Sequence, residues 1–145
     1  MVSADKSPEM ASLADALIIG ADTVVLSPRG EMLCKPADEA EAYRMLRVLS
    51  GHWHEVYTGV AVTDSQKSRQ ITGCEVTRVK FSDLDNDLIR RYLKTGEPFD
   101  KAGAYAIQGF GALLIERIEG CYFNVVGLPL NRLSGMLSTF GFRLL

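Results

Sequence analysis

A nearly unbroken apolar stretch close to the start of the chain, Leu17 to Leu26, places the strongest constraint on the fold. Such a run, interrupted by the single acid Asp22, is typical of a central strand that is buried on both faces. The segment Ser27 to Gly30 follows, with proline early and glycine last, and predicts a turn into a short second strand from Glu31 to Lys35. An ionised carboxylate inside a strand is costly unless it is paired, hydrogen-bonded or bound to a cation. Asp22 therefore needs a partner.

Length and charge limit the classes of protein to which this chain can belong. Its 145 residues, 47% of them hydrophobic, fit one domain over residues 1–145 with a sizeable core. With 16 basic and 18 acidic residues the net charge is -2, so we expect neither nucleic acid nor a membrane as a partner. Three widely spaced cysteines argue against a disulfide scaffold, and Met1 to Ala16 lacks the apolar core of a secretory signal. We expect a cytoplasmic protein.

The rest of the chain mixes helices and strands. Asp38 and Glu41 form a capping-box-like start to a helix, which Ser50-Gly51 should end. Its apolar stripe consists of Ala42, Met45, Leu46 and Leu49. The other predicted elements are antiparallel strands from Glu55 to Val62 and Gln70 to Phe81, a helix capped by Ser82 or Asp83, a loop from Asp100 to Gly111, strands from Ala112 to Ile118 and Cys121 to Val126, and a helix from Leu130 to Thr139 behind Pro129. This pattern indicates a single α/β or α+β domain.

Asp22 and Lys35 are the first candidates for chemistry. Asp22 either caps neighbouring backbone N–H groups or binds a metal and activates water. Lys35 is either a plain surface lysine or, across the predicted hairpin, a cation that faces Asp22. An acid and a base at opposing strand ends could together hold a cation and a phosphate.

The glycine-rich loop offers a second group of candidates. Asp100 and Lys101 lie beside glycines that allow backbone N–H groups to approach a ligand, although the spacing matches no phosphate-binding loop. Gln108 either reads a base edge or is an ordinary loop glutamine. His52 and His54 have no third ligand that would complete a zinc site, so we expect them to be solvated or hydrogen-bonded. Cys34 is more simply a buried small hydrophobe than a nucleophile.

Read together, these segments resemble the Maf family of nucleoside triphosphate pyrophosphatases. The matching segments are Ile19 to Val25, Lys35-Pro36, Leu49 to Gly51, Tyr57 to Val60, Gly96 to Pro98, Asp100 to Tyr105, Ile107 to Gly109 and Asn124 to Leu130. The resemblance implies a Maf-like, inosine-triphosphatase-like α/β fold, with an elongated mixed sheet, flanking helices and a cleft between two lobes. It also implies hydrolysis of a nucleoside triphosphate to the monophosphate and pyrophosphate with a divalent cation, Mg or Mn.

Residue roles follow from the same resemblance. Asp22 would be the metal-assisted proton acceptor that activates water, and Lys35 would hold the phosphates. Asp100 and Lys101 would line the cleft. Thr23 and Gln108 match the subgroup that acts on dTTP and UTP rather than on 7-methyl-GTP, which also favours pyrimidine substrates over inosine triphosphate.

The front of the chain departs from the family pattern. Residues 1–16 match poorly, and the family's N-terminal strand and its Ser-Pro-Arg-Arg-like phosphate loop are absent, so we expect an N-terminally truncated fold. Such a loss would open an edge in the central sheet, and a homodimer through that edge could offset it. The alternative to the enzyme is therefore a non-catalytic nucleotide-binding or dimer-forming remnant of the family.

Overall fold

A computed structural model of the protein describes residues 15–145. Within them, five strands form one sheet in the order β2-β1-β3-β4-β5, and four α-helices accompany it. The strands are β1 (Leu17–Leu26), β2 (Met32–Leu33), β3 (Trp53–Asp64), β4 (Arg69–Phe81) and β5 (Ile115–Glu119). The helices are α1 (Glu39–Leu49), α2 (Asn86–Lys94), α3 (Tyr122–Val126) and α4 (Leu130–Thr139). This architecture confirms the α/β class with flanking helices.

Every pairing between neighbouring described strands is antiparallel, where the sequence resemblance implied a mixed sheet. Two of these pairs, β1–β2 and β3–β4, are hairpins with short connections, and short connections can only join antiparallel strands. Helices lie between β2 and β3 and between β4 and β5. The longest ladders join β1 to β3 and β3 to β4, and both strand predictions in this region are confirmed with slightly longer bounds. The hairpin after Ser27 to Gly30 is also confirmed, but β2 has only two residues, because only Val25 and Leu26 pair with it.

One face of the sheet carries two separate apolar clusters. Side chains alternate between faces along a strand, so the registers place Val25, Val56 and Val79 on the same face as Val60 and Val62. The first three belong to a large cluster with α1 and α2, and the last two belong to a smaller cluster with α4. Between the clusters lies a polar row that contains Thr23, Thr58 and Thr77. We call these the large lobe, the small lobe and the threonine row.

Helix α1 forms as its sequence predicts. The Asp38 side chain accepts a hydrogen bond from the Glu41 backbone N–H at 2.8 Å, and Glu41 Oε1 accepts one from the Ala37 N–H at 3.1 Å. These two bonds satisfy N–H groups that have no partner inside the helix. All four residues of the predicted apolar stripe are buried in the large lobe, where each large aliphatic side chain contributes about 1.5 to 3 kcal/mol.

Helix α2 begins later than predicted. Its N-cap is Asp85, which accepts from Leu88 N at 2.8 Å, and not Ser82 or Asp83. The residues before it are engaged elsewhere, because Leu84 N donates to Ser50 Oγ at 2.7 Å. That contact joins the segment before α2 to the end of α1. As a result, the N-cap lies two or three residues after the predicted ones.

The predicted pair of strands after residue 111 is wrong in two places. Residues 109–114 form a 3-10 helix, so β5 begins only at Ile115, and Tyr122–Val126 is the short helix α3 rather than a strand. Its aromatic and β-branched residues favour a strand on local propensity. The tertiary contacts override that propensity, because the Asn124 amide Nδ2 donates to Val56 O at 3.1 Å and to Thr77 Oγ1 at 3.0 Å. These bonds fix α3 across the threonine row.

Helix α4 has the predicted bounds, with Pro129 immediately before it. No helix in residues 15–145 combines the length and the apolar character that crossing a membrane requires. Cys34, Cys74 and Cys121 are free thiols in this structure. Cys34, expected to be buried, is exposed instead because β2 ends one residue before it.

Candidate active site

Five of the six predicted site residues line a single cavity. Asp22, Thr23, Lys35, Asp100 and Lys101 surround a space of about 210 Å³. Apolar and aromatic groups complete the wall, namely Val25, Val56, Ala102, Tyr105, Val125 and Val126. Two acids, two bases and an apolar wall thus converge from segments that are far apart in the sequence.

Asp22 and Thr23 reach this cavity from the edge of β1. Consecutive side chains on a strand point to opposite faces, so the two residues border the cavity from different sides of β1. That edge is accessible because β2 pairs with β1 only at Val25 and Leu26. Asp22 is exposed there, and its Oδ1 accepts a hydrogen bond from the Thr23 N–H at 3.1 Å. Asp22 is therefore both a local cap, as one interpretation of the sequence held, and a cavity carboxylate.

Lys35 reaches the cavity through the hairpin. It follows the short strand β2, whose Leu33 is buried opposite Val25, and precedes the buried Pro36. Lys35 itself is exposed, and within residues 15–145 no carboxylate pairs with its ammonium group. Its charge is thus available to an anion that enters the cavity.

Asp100 and Lys101 approach from a different direction. They lie at the junction of two 3-10 helices, Glu97–Asp100 and Ala102–Ala104, and form a mutual ion pair with Nζ and Oδ1 3.5 Å apart. The backbone beyond them is anchored to the hairpin, because Gly103 N donates to Cys34 O at 3.3 Å. Gly103 has φ +74, and a Cβ there would press on Val25 at 3.1 Å. Any other residue would be strained at this close crossing, which favours glycine.

Gln108, the sixth predicted residue, is exposed and does not line the cavity. It lies on the segment between Tyr105, a lining residue, and the 3-10 helix Gly109–Leu114. The structure brings it onto the same loop as the cavity wall but not into the wall itself. A role for Gln108 in base selection stays a prediction.

Glu97 holds this loop in place, and sequence reasoning did not single it out. Its Oε1 accepts from Gly111 N at 2.8 Å and from the Tyr92 hydroxyl at 2.7 Å, and its Oε2 accepts from Phe110 N at 3.0 Å. Burial acts to raise the pKa of Glu97, but these hydrogen bonds and the charge of Lys101 bring the pKa below its ordinary value. The sequence feature that could have indicated this role is the position of an acid between a predicted helix and a glycine-rich loop.

Tyr105 forms the cavity floor on a buried aromatic cluster. Its hydroxyl lies 2.7 Å from Nε2 of His54, and both rings pack edge-to-face with Phe81. Burial raises the pKa of Tyr105 and lowers that of His54 to about 4, so both groups are neutral at pH 7. His52 bonds to Ser50 O through Nδ1 at 2.6 Å, so both histidines are hydrogen-bonded, as predicted.

The threonine row supports the opposite wall. Thr23 Oγ1 lies 2.9 Å from Thr58 Oγ1, which donates to the backbone carbonyl of Asn124 at 3.1 Å. Asn124 is followed directly by Val125 and Val126, which line the cavity. The row therefore connects the predicted specificity residue Thr23 to the apolar wall.

The donor chemistry of the cavity suits a hard cation only in part. No group of three or more His, Cys, Asp or Glu side chains within residues 15–145 could enclose a metal ion. The cavity does contain two carboxylates, Asp22 and Asp100. Because Mg²⁺ commonly takes one or two carboxylates and completes its shell with water and substrate phosphates, this set fits a cation that arrives with a triphosphate.

Comparison with known proteins decides the family. The family model described as "Maf-like protein" matches residues 1–140. The chain belongs to the Maf-like family. Among curated relatives of this Maf-like protein, a "dTTP/UTP pyrophosphatase" of Acetivibrio thermocellus is 57% identical over 125 residues, and one of Pelotomaculum thermopropionicum is 57% identical over 133 residues. A third, of Caldicellulosiruptor bescii, is 52% identical over 129 residues.

The alignments cover most of the Maf-like chain and a smaller share of each relative. They include 86%, 92% and 89% of this chain, in the same order. They include 62%, 69% and 64% of the relatives. The chain therefore spans about two thirds of the length of these curated relatives, and the cavity described above lies within the shared part.

Proposed function

We propose that this protein hydrolyses dTTP and UTP to the nucleoside monophosphate and pyrophosphate. The observation that carries the proposal is the cavity in which Asp22, Lys35, Asp100 and Lys101 converge beside an apolar wall. The charged side suits a triphosphate, and the apolar side suits a base. The names of the relatives at 52% to 57% identity support the same substrates.

The reaction consumes one water and breaks the anhydride bond between the α- and β-phosphates. We assign Asp22 as the group that accepts the proton of the attacking water. The Thr23 N–H already donates to Oδ1, which orients the carboxylate and leaves Oδ2 for the proton. Lys35, which pairs with no described carboxylate, stabilises the negative charge on the departing pyrophosphate.

We further propose that Asp22 and Asp100 hold a divalent cation, Mg²⁺ or Mn²⁺, together with the substrate phosphates. When bound, the cation supplies positive charge that neutralises the triphosphate and lowers the pKa of nearby water. Lys101, paired with Asp100 at 3.5 Å, keeps that carboxylate in place. Thr23 and Gln108 stand as the proposed selectors for pyrimidine bases.

The test is pyrophosphate release from dTTP, UTP, 7-methyl-GTP and ITP with magnesium or manganese. Asp22→Asn keeps the size of the side chain and removes the proton acceptor, so we expect turnover of dTTP and UTP to fall at least about 100-fold. Glu39→Gln, an exposed acid in the first turn of α1, is the matched control and should retain activity. Folding of each variant is checked by circular dichroism.

Two results would contradict the proposal. Turnover that persists in Asp22→Asn would remove Asp22 from its assigned role. Absence of turnover in a folded wild-type chain, with nucleotide binding retained in calorimetry, would favour a nucleotide-binding protein without catalysis.

A further inference from the structure

One carboxylate organises the whole loop that follows the cavity floor. Glu97 accepts three hydrogen bonds, from Phe110 N, Gly111 N and the Tyr92 hydroxyl. Tyr92 passes the connection on, because its hydroxyl oxygen accepts from Ala106 N at 3.1 Å. Glu97 therefore holds both ends of the segment 106–111. It bonds directly to Phe110 and Gly111, and it holds Ala106 through Tyr92.

The glycines of this loop are fitted to the carboxylate. Gly109 has φ +78, and a Cβ there would collide with Glu97 Oε2. A Cβ at Gly111 would overlap the carbonyl oxygen of Ala106 and approach the Tyr92 hydroxyl at 2.8 Å. The backbone thus comes as close to Glu97 as glycine permits, which is the geometry that several short N–H bonds to one carboxylate require.

The same acid borders the cavity through its neighbours. Tyr105, which lines the cavity, directly precedes the tethered Ala106, and Gln108 lies between the two tethered ends. Lys101, another lining residue, is close enough for its charge to stabilise the Glu97 carboxylate. Movement of Glu97 would therefore be transmitted to two parts of the cavity and to the loop glutamine.

We propose that Glu97 is a positioning residue, whose carboxylate holds the segment 106–111 so that Tyr105 keeps its place in the cavity wall and Gln108 keeps its place on the adjoining loop. The effect on catalysis rests on the proposed function, whereas the effect on the loop does not. Glu97 does not itself line the cavity, so its effect on the substrate passes through Tyr105 and the loop that carries Gln108. Its contribution lies in geometry rather than in charge.

Two substitutions of Glu97 distinguish the effect of its side-chain geometry from the effect of its charge. Glu97→Gln keeps the reach and one acceptor oxygen but loses the charge, so bonds to Gly111 N and Tyr92 can persist while the bond to Phe110 N is lost. Glu97→Asp keeps the charge but is shorter by one methylene, so all three bonds are lost or lengthened. A positioning role requires Glu97→Asp to be the more damaging change, and a charge role requires the reverse.

The first readout is amide hydrogen exchange at Ala106, Phe110 and Gly111, which needs no activity. We expect exchange about tenfold faster at all three amides in Glu97→Asp, and faster mainly at Phe110 in Glu97→Gln. Glu116→Asp and Glu116→Gln, on an exposed acid whose only described ion pair is with Lys80 at 3.8 Å, serve as matched controls. Unchanged exchange in a folded Glu97→Asp would overturn the proposal.

The second readout is kcat/KM for dTTP and the ratio of dTTP to 7-methyl-GTP turnover. We expect a fall of about tenfold in Glu97→Asp with a smaller fall in Glu97→Gln, and a changed ratio. A larger fall in Glu97→Gln would overturn the geometric role. If the wild type has no turnover, the proposed function fails, but the exchange result still decides the role of Glu97. If Glu97→Asp does not fold, Tyr92→Phe tests the same tether, with faster exchange expected at Ala106.

Discussion

The two ends of the cavity are built in different ways. The hairpin end, with Asp22 and Lys35, is part of the sheet, and its position follows from backbone pairing and from Leu33 buried opposite Val25. The loop end, from Glu97 to Gly111, contains 3-10 helices and is held by hydrogen bonds to one carboxylate and one phenol. The first end uses regular structure, and the second uses polar tethers with little regular structure.

This contrast shows how a small cavity can combine a rigid part and an adjustable part. A sheet resists local change because its strands share many backbone hydrogen bonds, so Asp22 has a fixed place on its strand. The loop end depends on a few side chains, so single substitutions there can alter the wall without disturbing the large lobe. We expect chemistry to depend on the hairpin end and substrate choice to depend on the loop end.

The largest difference should appear between the two cavity lysines. Lys35→Met removes a cation that no described carboxylate neutralises, so we expect kcat/KM for dTTP to fall about 100-fold, the upper range for a hydrogen bond to a charged group. Lys101→Met removes a cation already paired with Asp100, so a fall of about tenfold is expected. Steady-state kinetics on both variants measure the ratio. Equal losses would show that the two ends bind the substrate alike.

Acid should destabilise the folded protein through the aromatic cluster beneath the loop end. His54 has a pKa of about 4 in the folded protein because it is buried, against 6.5 in the unfolded chain. The unfolded state therefore binds more protons between these values, so stability falls as the pH drops from about 6.5 to about 4, by roughly 3 kcal/mol at full effect. Urea unfolding across this range measures the slope. His54→Gln, which does not titrate, should flatten it, and an unchanged slope would assign the effect to other groups.

Glycine substitutions give the smallest of these effects and compare the ends directly. Gly111→Ala should cost about 1 to 3 kcal/mol of unfolding free energy, because the new methyl group overlaps the Ala106 carbonyl. Gly30→Ala, in the hairpin turn, meets open space and suffers only the strain of φ +84. Gly135→Ala in α4 meets neither problem and should be neutral or stabilising. Activity should fall in Gly111→Ala alone, and a loss in Gly30→Ala instead would reverse the comparison.

The hairpin end was largely predictable from the sequence, because its signals are local. The apolar run, the turn from Ser27 to Gly30 and the cap at Asp38 each lie within a few residues of the structure they specify. The prediction that the run is buried on both faces is wrong, because β2 covers only its last two residues and Ile19 and Asp22 are exposed. Their convergence on one cavity needed the family resemblance, since Asp100 and Lys101 are remote in sequence from Asp22. The family assignment and the resemblance agree.

The loop end and the helix α3 were not predictable in detail. Tyr122–Val126 has the residues of a strand, but Asn124 bonds to Val56 O and Thr77 Oγ1, contacts more than 45 residues away that no local pattern contains. Glu97 carries the same lesson, because its partners Phe110 and Gly111 follow it by 13 and 14 residues. Where side-chain hydrogen bonds rather than backbone pairing fix the conformation, the periodicity of apolar residues in the sequence does not predict it.

The brevity of β2 has a practical consequence for redesign. Only two residue pairs connect β2 to β1, and the turn before it is exposed at Pro28, Arg29 and Gly30. Insertions are best tolerated in exposed turns with few contacts. Changing the length of this turn would therefore alter the position of the lysine that follows β2, and the buried Leu33 would limit the shift because it packs in the large lobe. The length of this turn is therefore a variable with which the spacing between acid and base could be changed to suit phosphate chains of other lengths.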